Sequence, residues 1–124
     1  NCYLGDMLNN PKFLDVDPNK LEDVLKRLPK RTDIRFIGAE PTMNPRLIEL
    51  VQIARKNGHR PSLLTNGLKL RKESFVKELK RGGINMLGLS MNGGLDDEMY
   101  KLFDNGKYAK QKTIAPISKR CRKA

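Results

Sequence analysis

Cysteine is scarce in these 124 residues: there are two, Cys2 and Cys121, at opposite ends of the chain. That excludes a disulfide framework and makes a reducing, cytoplasmic setting the default expectation. Histidine is scarcer still. His59 is the single one; it stands between Gly58 and Arg60, ahead of a strand, with no ligand-forming neighbour. It reads as a surface histidine and not as part of a metal centre. No apolar run approaches the roughly 18 residues that a membrane span needs. The opening Asn1-Cys2-Tyr3-Leu4 has no basic region of the kind that begins a secretory signal. Acidic residues are missing from 107–124, which hold seven Lys or Arg, whereas the preceding residues carry eighteen basic and fourteen acidic ones. Most of the net charge of +11 therefore belongs to the tail. Tyr108 is its only aromatic residue, so the stacking pattern of a nucleic-acid binder is missing. A solvated, poorly ordered terminus is the plainer reading.

What is present is a regular alternation. Asp17-Pro18 opens a helical pattern in which Leu21, Val24, Leu25 and Leu28 recur at i, i+3, i+4 and i+7. Pro29 ends it. Residues 33–38, DIRFIG, read as a strand. Asn44-Pro45 precedes a second helix with Leu47, Leu50, Val51 and Ala54 in register, stopped by Asn57-Gly58. RPSLLTNG, residues 60–67, reads as a second strand and turn. A third helix over 71–83 closes on Gly82-Gly83, and INMLGLSMNGG supplies a third strand. Residues 96–106 begin a fourth helix, with Asp96, Asp97 and Glu98 suiting its positive end. Met86 and Met91 read as residues that pack in or near a core and bind nothing.

Short strands alternating with helices of about a dozen residues predict parallel βα units. The fold class is α/β, either a doubly wound sheet or part of a (β/α) barrel. In both, chemistry gathers where strands end. Three loops qualify: GAEPT after the first strand, TNG after the second and SMNGG after the third. Asn66-Gly67 and Asn92-Gly93 also suit ordinary turns. Thr42 and Asn44 also suit helix capping. Glu40 is different. A carboxylate at a buried strand end needs partners or a ligand, and it would accept well from an ammonium group.

FIGAEPTMNPRLIELV resembles the Gly-Gly-Glu-Pro segment of radical S-adenosylmethionine (radical SAM) enzymes. CYLGD resembles the end of that family's Cys-x3-Cys-x2-Cys motif, LLTNGLKL its third strand and LGLSMNGG its fourth. The four stand in the family's order from residue 2 to about 110. The resemblance implies a partial (β/α) barrel of the radical SAM type that binds S-adenosylmethionine beside a [4Fe-4S] cluster. Reductive cleavage of the cofactor would then yield a 5'-deoxyadenosyl radical that abstracts a substrate hydrogen. It places Glu40 on the methionine ammonium, Gly38 and Ala39 beside the ligand, and Pro41 at the turn. Thr65, Asn66, Ser90 and Asn92 become polar cofactor contacts. Tyr3 lies near the adenine, and Cys2 becomes a cluster ligand. An electron donor such as flavodoxin or ferredoxin would be the partner.

The second glycine of that segment is Ala39 here. Cys2 matches the third cysteine of the cluster motif, and such a cluster takes three thiolates. The expectation is therefore a core fragment over residues 1–106, truncated at both ends, followed by a basic tail over 107–124. It would carry no catalytic residue of its own and be inactive alone. A non-enzymatic α/β module binding a small molecule or a partner protein is the rival reading.

Overall fold

The computed structural model describes residues 15–90. The fourth helical pattern, Met91, Asn92 and the basic tail lie outside them, as do Cys2 and Tyr3. The described elements alternate as the sequence predicts: α1 (Pro18–Arg27), β1 (Asp33–Phe36), α2 (Leu47–Lys56), β2 (Arg60–Thr65), α3 (Glu73–Gly82) and β3 (Met86–Leu89). Two single-turn 3-10 helices, Pro41–Met43 and Leu68–Arg71, follow β1 and β2.

Local chemistry explains the helix ends. The Asp17 carboxylate accepts from the Asn19 amide at 2.8 Å, Pro18 occupies the first turn, and Lys26 and Arg27 face the negative end of α1. Gly83 closes α3 at φ 91°. A Cβ there would stand 2.8 Å from Cγ of Arg55, so backbone sign and side-chain room both select glycine. Asn44 does not cap α2 directly. Its side chain accepts from the Arg46 amide at 2.8 Å, and Arg46 is the residue at the cap.

The three strands run parallel in the order β1-β2-β3. Phe36, Leu63 and Leu87 are in register and share one face. Leu63 is buried with Leu47 and Val51 of α2, Leu70 of the second 3-10 turn, and Val76 and Leu79 of α3, while Phe36 and Leu87 pack against this cluster. The helices thus cover one face, as right-handed crossovers between neighbouring strands require. Sequential order with helices on one side is the arrangement of an arc of a (β/α) barrel. All four apolar positions expected of α2 are buried. In α1, Leu25 is buried but Val24 is 54 % exposed.

Two sequence expectations are corrected. His59 is not a surface residue: it is 1 % exposed, and its Nε2 lies 2.8 Å from the carbonyl oxygen of Leu25. The end of α1 closes over the α2–β2 turn and buries the ring. Met86 is not core: it is 53 % exposed, because strand alternation places it with Arg35 and Ser62 on the face opposite the helices. No described helix is long and apolar enough to cross a membrane.

Candidate functional site

The carboxyl ends of β1 and β2 meet at Glu40, and that of β3 lies beside β2. β1 ends at Phe36, and the chain turns through Gly38 before Glu40 caps the 3-10 turn of Pro41–Met43. The Glu40 carboxylate is enclosed by four donors. Its Oε1 accepts from the Thr42 amide at 3.1 Å, the Thr42 hydroxyl at 2.6 Å and the Thr65 hydroxyl at 2.6 Å. Its Oε2 accepts from the Asn66 amide at 2.8 Å. Glu40 therefore ties the loop after β1 to the end of β2. β3 joins through the Ser90 amide, which donates to the Thr65 carbonyl at 2.8 Å.

Burial pushes the Glu40 carboxyl up. The hydroxyls of Thr42 and Thr65 and the amides of Asn66 and Thr42 outweigh burial and hold it below the usual glutamate value. The carboxylate is thus charged, oriented and only half-buried. A carboxylate offers about four lone-pair positions. Oε1 is crowded by three donors, but Oε2 has one, leaving capacity for a cationic ligand. The backbone two residues earlier is uncrowded. A Cβ on Gly38 would meet nothing within 4 Å, and the φ of +149° there is one that residues with side chains rarely adopt. Ala39 next to it is exposed and Pro41 half-buried.

The structure thus brings together Gly38, Ala39, Glu40, Pro41, Thr65, Asn66 and Ser90. Of the other expected site residues, Cys2, Tyr3 and Asn92 lie outside the described residues. Thr65 and Asn66 have local duties. The Thr65 hydroxyl, besides donating to Glu40, accepts from the Gly67 amide at 3.1 Å. The Asn66 side chain accepts from the Leu68 amide at 3.0 Å, an ordinary turn bond. Two residues of the site were missed in the sequence. Thr42, read as a helix cap, gives both its amide and its hydroxyl to Glu40. Lys69 donates from Nζ to the Thr42 carbonyl at 2.6 Å, with its ammonium 5.4 Å from the centre of the Phe75 ring. The spacing of Glu40 and Thr42 carried a signal, since a side-chain acceptor two residues before a free amide favours such a turn. Lys69 had none. Among the described residues no group of three or more His, Cys, Asp or Glu could hold a metal ion.

The family model described as the radical SAM superfamily matches residues 2–123. The chain belongs to the radical SAM superfamily. Over 121 residues this radical SAM chain is 31 % identical to the 7,8-dihydro-6-hydroxymethylpterin dimethyltransferase of Methanocaldococcus jannaschii, covering 97 % of the chain and 22 % of that protein. Over 60 residues it is 42 % identical to the Fe-coproporphyrin III synthase of Methanosarcina barkeri, covering 48 % of the chain and 15 % of that protein. The chain thus spans about a fifth or less of the length of these relatives. The cofactors that this superfamily implies are an iron–sulfur cluster and S-adenosylmethionine.

Proposed function

We propose that this chain forms the S-adenosylmethionine-binding side of a radical SAM enzyme core, with Glu40 accepting from the ammonium of the methionine moiety. The observation behind this is the Glu40 cage: a charged carboxylate fixed by four donors at the strand ends, with spare acceptor capacity on Oε2. The protein supplies position. Thr42, Thr65 and Asn66 set the carboxylate before any ligand arrives, so little ordering is left for binding. Lys69 holds the Thr42 carbonyl and with it the turn. Ser90 and Asn92 are polar candidates for the remainder of the cofactor, and Tyr3 for its adenine.

Cys2 would be a ligand of the [4Fe-4S] cluster. The chemistry supplied by such a cluster, when bound, is one-electron reduction that cleaves S-adenosylmethionine. These 124 residues carry two cysteines, fewer than the three thiolates such a cluster takes. Taken alone they are therefore proposed to bind the cofactor without turning it over. The same observation favours a second reading, a binding module without catalysis. In the enzyme reading the electrons come from a flavodoxin or ferredoxin, and the site of action is the cytoplasm.

The test is a titration of the 15N-labelled chain with S-adenosylmethionine. Saturable shifts are expected at the amides of Asn66 and Thr42, weakened at least tenfold in Glu40→Gln, because a charge-assisted hydrogen bond is worth about 1.5–3 kcal/mol. Equal affinity in both proteins would refute the assignment.

A further inference from the structure

The sheet face opposite the helices holds a second feature, separate from the Glu40 cage. A groove of about 180 Å³ crosses the amino-terminal ends of the strands, lined by Asp33, Arg35, Arg60, Ser62, Asn85 and Met86. Its charges are unevenly used. Arg60 is committed to Asp33 by two contacts, Nε to Oδ1 at 2.8 Å and Nη2 to Oδ2 at 3.1 Å. That forked pair neutralises itself. Arg35 has no hydrogen bond or ion pair among the described residues, so among them the groove keeps one uncompensated positive charge. Ser62 is 6 % exposed, yet its hydroxyl finds only the Ile34 carbonyl at 3.4 Å. That is well beyond the roughly 2.5–3.0 Å of a sound O–H···O bond. The Asn85 side-chain amide is likewise without a partner among the described residues. The Ser62 bond is a long one, and the hydroxyl keeps capacity for a further partner. Here it lines a groove together with a free guanidinium, whose planar fork suits carboxylate and phosphate oxygens.

We propose that this groove is a subsite for an anionic group of the substrate, a carboxylate or a phosphate, held by the Arg35 guanidinium with the Ser62 hydroxyl and the Asn85 amide. The assignment of the ligand as substrate rests on the function proposed above. Ser62 precedes Thr65 by three residues on β2, so the groove lies about 10 Å along the strand from the Glu40 cage, at roughly 3.3 Å per residue. A substrate reaching both would carry its anion about that far from the end lying beside the strand-end site.

The experiment uses the 124-residue chain and two probes, inorganic phosphate and succinate, titrated at constant ionic strength. The side-chain resonances of Arg35 Nε and Asn85 Nδ2 and the amides of Ser62 and Met86 are followed by NMR. Saturable shifts confined to these groups are expected. They should weaken at least tenfold in Arg35→Gln, be partly restored in Arg35→Lys, and stay unchanged in Lys77→Gln on the exposed face of α3. The tighter of the two probes names the anion. Shifts that spread over the basic surface, or that survive Arg35→Gln unaltered, would overturn the proposal. S-adenosylmethionine binding retained in Arg35→Gln separates a failure here from a failure at Glu40. A spectrum of Arg35→Gln that overlays the parent elsewhere confirms that its fold is kept.

Discussion

Replacing Glu40 by Gln keeps the shape of the side chain and removes its charge. The cage offers Glu40 two hydroxyls and two amides. The hydroxyls can rotate and adapt to a new partner, but the amides cannot. If the Gln oxygen takes the place of Oε1, its NH2 faces the Asn66 amide, donor against donor. If the Gln is flipped, the NH2 faces the Thr42 amide instead. In either orientation one backbone amide loses its acceptor, at about 1–3 kcal/mol, and the surviving bonds lose their charge assistance. Because the carboxylate is only half-buried, solvent offsets part of this, and the expected loss is about 2 kcal/mol. With a urea slope of about 1–2 kcal/mol/M for a small domain, the unfolding midpoint should fall by about 1–2 M. The sign of the pH dependence follows from the lowered Glu40 carboxyl. The margin of wild type over Glu40→Gln should be fully present above about pH 4.3, the ordinary glutamate value, and disappear as pH falls through the depressed folded value. Hydrogen exchange gives the local readout, since the Asn66 and Thr42 amides should exchange faster in the variant. An unchanged midpoint with unchanged protection of both amides would mean that the cage does not hold the two loops together.

Two other substitutions probe neighbouring links. Thr65→Val removes a hydroxyl that bonds both Glu40 and the Gly67 amide; it should cost about 1–2 kcal/mol and move the Glu40 carboxyl up, as read by a 13C NMR titration, whereas an unmoved titration would discount the Thr65 bond. Gly83→Ala forces a side chain into a left-handed cap against Arg55 and should lower stability by about 1–2 kcal/mol in a urea melt, with no loss expected if that φ were dispensable.

Much of the architecture was legible because it rests on local rules. Leu47, Leu50, Val51 and Ala54 announce the buried face of α2 by spacing alone, and the Asn-Gly and Gly-Gly pairs mark the stops that the chain obeys. Glu40 was legible for a different reason, since a carboxylate after an apolar strand demands an explanation. What escaped notice is tertiary. Thr65 and Asn66 reach Glu40 only because β1 and β2 lie side by side, and Lys69 reaches Thr42 across the same seam. No periodicity encodes that approach. His59 misled for the same reason, because its burial comes from Leu25, 34 residues earlier. Met86 misled because composition says methionine is apolar, but strand parity decides which face it takes.

The bonds that tie β2 to β1 span nearly the same sequence separation. Thr65 reaches Glu40 across 25 residues and the Asn66 amide reaches it across 26, while Arg60 meets Asp33 across 27. All three close the same unit, β2 onto β1, so the loop-closure entropy is met once and the later bonds form almost free of it. Parallel pairing over such separations forms slowly, because the loop must close before its contacts reward it. Before β2 docks, the Glu40 carboxylate has only the two donors of Thr42; the arrival of β2 supplies the other two. The full donor set of Glu40 therefore exists only with β2 in place beside β1, so the same pairing that builds the sheet also finishes the site.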